Sequence, residues 1–343
     1  MIRGGITRES LKWLCGLMLG AVAWLAVWIS LIVGELGAPH QDNIWLKGAY
    51  SVKQKAIETM EPGRKLLAVG GSATMFGVDS QELEILTGLP TINFGVNAGV
   101  GTYALPAMAD PFISPGDVIV MPLEYMLLLW DGRPGYGTLS WTLEHPEFLK
   151  RWQITPAFLG LWQLPLRRVY EGYRGVPDGY ITRGTYGPHR LGATGDQLRS
   201  SKAEQTSGQL DRLKTRKPTN PLLERLQHTK VGLNEWAYWW DRWQARGACL
   251  LVVPPPFMRH TVYDEPHWRS FFSAIPDRVS AAGGHYLGKP QQAFFPLSDM
   301  FDTAYHLTAE ARIVYTRWIA KAVLKRQRDC NEDHASIKAN VSN

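Results

Sequence analysis

From Trp13 to Gly34 the chain reads WLCGLMLGAVAWLAVWISLIVG, 22 residues without a charge. A helix needs about 20 mostly apolar residues to cross a bilayer, whereas the apolar stretch of a cleaved export signal is only about 7–15 residues long. The following GELGAPH is a weak small-x-small site. An uncleaved anchor over 13–34 is therefore expected. Arg3, Arg8 and Lys12 precede it, and positive charge stays on the cytoplasmic side. This places residues 1–12 in the cytoplasm. The rest of the chain then lies on the outer, periplasmic face of the cytoplasmic (inner) membrane. Residues 35–62 read as a stalk.

Beyond the stalk the pattern becomes α/β. RKLLAVGG (64–71), LPTINFGV (89–96), GDVIVMPLE (116–124) and ACLLVVPPP (248–256) are short apolar runs bounded by glycine or proline. HYLGK (285–289) is a weaker fifth run. Helical stretches alternate with them, so a parallel sheet covered on both faces is expected. Ser80 and Gly88 are the expected ends of a helix over 80–88, and Thr308 is the expected N-cap of the last helix. Trp236, Trp239, Trp240 and Trp243 share one face of a helical stretch over 220–247, a spacing that favours core packing. The α/β rhythm breaks over 125–219, an insert rich in Trp, Tyr, Gly and Arg. The domain is expected to span 63–327, with a polar tail over 328–343.

The net charge of +6 is concentrated in the insert, where 164–218 carries 11 Lys/Arg against 5 Asp/Glu. In a domain outside the cytoplasm such a segment points to an anionic surface or a polymer, and no nucleic-acid partner is expected. Cys15, Cys249 and Cys330 show no paired spacing, so no disulfide is predicted, and no Cys/His cluster suggests a metal.

In an open parallel sheet, ligands bind beyond the carboxyl ends of the strands. Gly71-Ser72, Gly95-Val96-Asn97 and Glu124 follow the first three strands, and Asp302 and His306 lie in DMFDTAYHLTAE, before the last helix. A serine nucleophile needs a histidine to take its proton and an acid to orient that histidine. It also needs donors facing the developing oxyanion. Ser72, His306 and Asp302 are the candidates for the first three roles. Backbone N–H groups near Ser72 and Gly95, with the Asn97 amide, are candidates for the donors. Gly70-Gly71-Ser72-Ala73-Thr74 lacks the last glycine of the G-x-S-x-G elbow, which argues against the other common serine-hydrolase fold.

These blocks resemble the SGNH (GDSL-like) hydrolases, named for Ser, Gly, Asn and His in four separated blocks. VGGSATMFGVDS resembles the first, NFGVNAG the middle two run together, and FDTAYHLTAEA the last. The similarity covers 64–124 and 247–327. It implies a three-layer α/β/α domain without a cofactor or metal. Ser72 would be the nucleophile, His306 the base, Asp302 its partner, and Gly95 and Asn97 the oxyanion hole. No literal Gly-Asp-Ser-Leu is present. The family's usual acid lies three residues before the histidine, but Asp302 lies four before and Asp299 seven.

The anchor and the closeness of Gly95 to Asn97 are most similar to the membrane-anchored branch. Members of that branch work with membrane-bound O-acyltransferases on secreted polymers, and accessory proteins of exopolysaccharide operons, bacterial cellulose included, are similar in plan. The resemblance implies a polysaccharide substrate, with an O-acyltransferase and a polymer synthase complex as partners. Trp130, Tyr136 and Trp141 are candidates for stacking on sugar rings. Transfer to a sugar, ester hydrolysis and a non-catalytic scaffold role all remain open at this level.

Overall fold

The computed structural model describes residues 7–152, 160, 162–182, 184–217 and 228–341, of which 331–341 as backbone only. Its centre is a parallel sheet of β1 (Leu66–Ala68), β2 (Thr91–Asn93), β3 (Val118–Pro122) and β4 (Cys249–Val253), in the order β2-β1-β3-β4. Register pairs Leu67 with Ile92 and Ile119, and Val120 with Leu251. Successive side chains of a strand face opposite sides. Every residue of these strands is buried, so both faces are covered. The fifth run reduces to one bridge, in which Val252 donates to the His285 carbonyl at 2.7 Å and accepts from Leu287 at 3.0 Å. A small parallel pair, β5 (Phe257–Met258) and β6 (Phe294–Phe295), lies after β4 in the chain.

The helices are α1 (Arg8–Gly34), α2 (Ile44–Glu58), α3 (Ser72–Gly77), α4 (Ser80–Thr87), α5 (Ala104–Ala109), α6 (Tyr125–Leu128) and α7 (Tyr136–Glu144). They continue with α8 (Leu166–Arg174), α9 (Ser207–Lys214), α10 (Val231–Ala245), α11 (Pro266–Ser273), α12 (Ile275–Ala281) and α13 (Ala309–Val341). Gly88 ends α4 in the left-handed region (φ 70°), as its position implied, but the cap at the start is Asp79, whose carboxylate accepts the Glu82 N–H. Ser80 instead donates to Asp196 at 2.8 Å. Thr308 accepts from Ala311 at the start of α13. The tryptophan stripe of α10 is core: Trp236, Trp240 and Trp243 are fully buried, and Trp240 reaches the Met121 sulfur on β3. Part of the 220–247 stretch (220–227) lies outside the described residues.

Two expectations give way. Residues 35–62 are no stalk, because α2 buries Leu46, Ala49, Tyr50, Lys53 and Ala56 within the main domain. These positions follow the helical period, with a lysine among them. Lys53 is tolerated because its ammonium donates to the Asn93 carbonyl at 2.7 Å and the Gly195 carbonyl at 2.5 Å, which ties α2 to the end of β2 and to the insert. The second concerns the cysteines. Cys249 on β4 and Cys330 on α13 form a disulfide across 81 residues of sequence. The pairing follows from α13 lying along β4, a tertiary fact that spacing does not carry.

The helix α1 is long and apolar enough to cross a membrane, and little of it is buried. Its last turns dock onto the domain. Trp28 and Ile32 join Leu139 and Leu143 of α7 and Val169 of α8 in one apolar cluster, each worth about 1.5–3 kcal/mol when fully buried. Just beyond α1, Glu35 pairs with Arg168 at 2.7 Å, both 1 % exposed.

Candidate active site

Ser72 opens α3, directly after β1 and two glycines. A Cβ on Gly70 would overlap the Thr74 hydroxyl, and one on Gly71 the Glu124 carboxylate. The GGS turn therefore needs both glycines for close packing. After β2, Asn93 is fully buried; its amide donates to the Thr74 carbonyl at 3.0 Å and the Val78 carbonyl at 3.2 Å. It thereby fixes α3 to the sheet.

The Asn93 side-chain oxygen, Oδ1, accepts the Gly95 N–H at 3.1 Å. This alters the expected role of Gly95: its N–H is already engaged, and the residue does not line the cavity described below. It is glycine because a Cβ there would press on the Met75 N and the Thr74 side chain. Asn97 does line the cavity. Its Oδ1 accepts the Gly99 N–H at 2.6 Å, and its Nδ2 has no partner among the described residues.

Asp302 and His306 sit on a narrow loop. Phe301 donates to the His306 carbonyl at 2.7 Å, and Thr308 to the Asp299 carbonyl at 2.9 Å, closing the loop before α13. That closure turns a four-residue step into contact: His306 Nδ1 lies 2.6 Å from Asp302 Oδ1. Asp299 lies elsewhere, paired with Lys202 at 2.8 Å. Tyr186 of the insert donates to Asp302 Oδ2 at 2.8 Å. Burial opposes ionisation of Asp302, but the bond to His306, its charge and the Tyr186 hydroxyl together hold the carboxyl below its ordinary value. Phe76 of α3 stacks on the imidazole, 4.1 Å between centroids and 2° from parallel. The helix that carries Ser72 therefore also sets the plane of the His306 ring.

Ser72, Asn97, Glu124 and His306 all line one cavity of about 830 Å³. No hydrogen bond joins Ser72 to His306 in the structure; in ligand-free sites such bonds are often long and tighten when substrate binds. Glu124, 1 % exposed, accepts the Ala73 N–H at 2.8 Å through Oε1. Its Oε2 has no partner among the described residues. Burial raises its pKa above the ordinary value, against the opposing Ala73 N–H and the charge of His306.

Of the three aromatic candidates, Trp130 and Tyr136 line the cavity. Trp141 does not: it is 1 % exposed and packs on Tyr50 and His145, so neither face is free for a sugar. Several cavity residues were not legible in the sequence, Trp45 and Tyr186 among them. Trp45 comes from the supposed stalk, and Tyr186 comes from RGTYGPHR, where no periodic pattern singles it out. Among the described residues no group of three or more His, Cys, Asp or Glu is arranged to hold a metal ion. No protein-family model matches the chain, and no curated protein matches it either.

Proposed function

We propose that the chain is a membrane-anchored, SGNH-like serine acyl-transfer enzyme acting on a secreted polysaccharide. In this reading α1 crosses the cytoplasmic membrane, and the domain faces the periplasm as a three-layer α/β/α unit. The observation that carries the proposal is the Asp302–His306 pair, held at 2.6 Å, with His306 lining the same cavity as Ser72. The Cys249–Cys330 disulfide supports an oxidising compartment.

The chemistry follows from the positions. Ser72 Oγ attacks the acyl carbonyl of an ester donor. His306 takes the serine proton through Nε2, while Asp302 holds the Nδ1 proton and stabilises the imidazolium. The Asn97 amide and the Ser72 N–H at the start of α3 would serve as the donors to the developing oxyanion. His306 then protonates the leaving alcohol, which leaves an acyl-serine. A sugar hydroxyl, deprotonated by His306, completes transfer, and water in its place completes hydrolysis. The open side of the cavity, with Trp130 and Tyr136, suits a sugar chain as acceptor. A membrane-bound O-acyltransferase would load the donor, and a polymer synthase would supply the acceptor.

The test is covalent labelling with an activated ester or a fluorophosphonate. The wild type should be labelled at Ser72, and the Ser72→Ala variant should not. Equal labelling of both defeats the serine mechanism. Comparing polymer acylation with and without the gene separates transfer, where deletion lowers acylation, from hydrolysis, where deletion raises it.

One observation favours a second reading, a non-catalytic scaffold of a synthase complex. The Glu124 carboxylate is buried beside the nucleophile, one of its oxygens has no partner among the described residues, and an ionised carboxylate there would oppose a developing oxyanion. If a Ser72→Ala, His306→Ala double variant fully restores polymer modification in a deletion strain, the scaffold reading replaces the enzyme.

A further inference from the structure

The helix α8 has three distinct faces. Arg168, Val169 and Gly172 are buried against α1 and α7. Arg167, Glu171 and Arg174 form a charged face, with Arg167 and Glu171 paired at 2.7 Å. The third face is apolar yet open: Leu166 is 71 % exposed, Tyr170 62 % and Tyr173 54 %. Trp162, four residues before Leu166, is 44 % exposed as well. An amphipathic helix with aromatic groups on its apolar side and arginines beside them has the composition of an interfacial element.

The position of this face along α1 gives it a meaning. The Tyr173 hydroxyl donates to the Leu31 carbonyl at 2.8 Å, and Trp162 stacks on Trp24 at 5.1 Å. Lys12 is the last charge before the apolar run. Counting about 20 residues from it puts the far edge of the hydrocarbon near residue 32. Trp24 then lies about 12 Å inside that edge, and Leu31 lies at it. The exposed face of α8 is thus continuous with the lipid-facing surface of α1, at the depth of the same leaflet. Gln163 is exposed, lines the Ser72 cavity and stands between Trp162 and Leu164, both of which pack on α1 or its cluster.

We propose that 162–173 is a second membrane-contact element, inserting Trp162, Leu166, Tyr170 and Tyr173 into the leaflet nearest the domain, so that the cavity opens at Gln163 onto the lipid surface. The proposal rests on the reading of α1 as membrane-spanning. It implies that an acyl donor reaches Ser72 along the membrane plane. The occupant is the bilayer itself, because the patch continues a lipid-facing helix and carries interfacial aromatics with arginines.

The experiment uses the full chain with Cys15→Ala, one copy per nanodisc of phosphatidylethanolamine and phosphatidylglycerol. Single cysteines at Leu166, Tyr170 and Tyr173, and at Arg167 and Arg174, carry spin labels; Leu19 on α1 and Ile85 on α4 serve as lipid and water references. All are surface positions, so the fold tolerates them. Relaxation by oxygen, which enters lipid, is compared with relaxation by a water-soluble nickel chelate. The labels at 166, 170 and 173 should behave like Leu19, open to oxygen and shielded from nickel, while 167 and 174 behave like Ile85. Nickel access at 166, 170 and 173 equal to that at Ile85 overturns the proposal. Exclusion of both reagents overturns it too, since a protein surface then covers the patch. If nickel also reaches Leu19, the membrane-spanning reading of α1 fails and takes the proposal with it.

Discussion

Ser72, Asn97, Glu124 and His306 reach the cavity from strand ends or from the closed loop before α13, whereas Trp45, Trp130, Tyr136 and Tyr186 reach it from segments outside that frame. The first group is held by backbone and buried side-chain bonds, such as those from Asn93 to α3 and from Phe301 to His306. The second is tied to loops and helix ends outside the sheet, as the Tyr136 hydroxyl is to Asp42 and the Trp130 carbonyl to Gly232. Reaction chemistry needs atoms fixed to within fractions of an ångström. Recognition of a polymer tolerates more play. The division between the two sides of the cavity follows that difference.

The comparison breaks most directly at Ser72. Ser72→Ala should lower kcat/KM for an activated ester by about 10⁴-fold or more, with an unchanged melting temperature. Loss of less than tenfold would remove the chemistry from this side. Asp302→Asn comes next, at about 10³- to 10⁴-fold in kcat. Asp299→Asn, whose native partner is the exposed Lys202, should leave kcat near that of the wild type. The reverse ranking would reassign the acid.

Glu124→Gln tests how much strain the rigid side carries. Burial raises the Glu124 pKa in the folded state, so the native protein binds a proton more tightly than the unfolded chain. Stability therefore falls as pH rises above the ordinary carboxyl value, until the folded-state pKa is passed. Glutamine removes that loss, by about 1.4 kcal/mol for each unit of upward shift. Thermal melts should show the variant more stable than the wild type at pH 7–8, with the gap closing below about pH 4. A gap that does not change with pH would contradict a raised pKa.

On the recognition side, Trp130→Ala should raise KM for a polymeric acceptor by about 2–10-fold and leave hydrolysis of a small ester unchanged. Tyr186 belongs to the insert yet bonds Asp302, so it sharpens the boundary. Tyr186→Phe should lower kcat by about 2–10-fold, the worth of one hydrogen bond, without changing KM.

The strand-end side was the legible one. Apolar runs ending in glycine or proline located β1 to β4, and the Gly88 and Thr308 boundaries and the α10 tryptophans followed from local rules. Asp79 displaced Ser80 as a cap because Asp196, 116 residues beyond Ser80, claims its hydroxyl. Trp141 read as a loop aromatic because the sequence does not show that α7 turns it inward against Tyr50. Gly95 reads as an oxyanion donor in the sequence because nothing in the run TINFG shows that the Asn93 side chain takes its N–H. In each case the deciding contact is side chain to backbone, or is distant in sequence. Patterns of residue type do not encode such contacts.

The Cys249–Cys330 bond closes a covalent ring around 82 residues, and that ring holds both Asp302 and His306 while Ser72 lies outside it. The nucleophile and its base therefore lie on opposite sides of one covalent closure and meet across it by packing, as Phe76 does on His306. A reductant that opens the ring removes the covalent tie between α13 and β4, while the bonds from Phe301 to the His306 carbonyl and from Thr308 to the Asp299 carbonyl still close the loop that presents the imidazole. The turn that bears the serine is anchored independently of that closure, through Asn93 and Glu124.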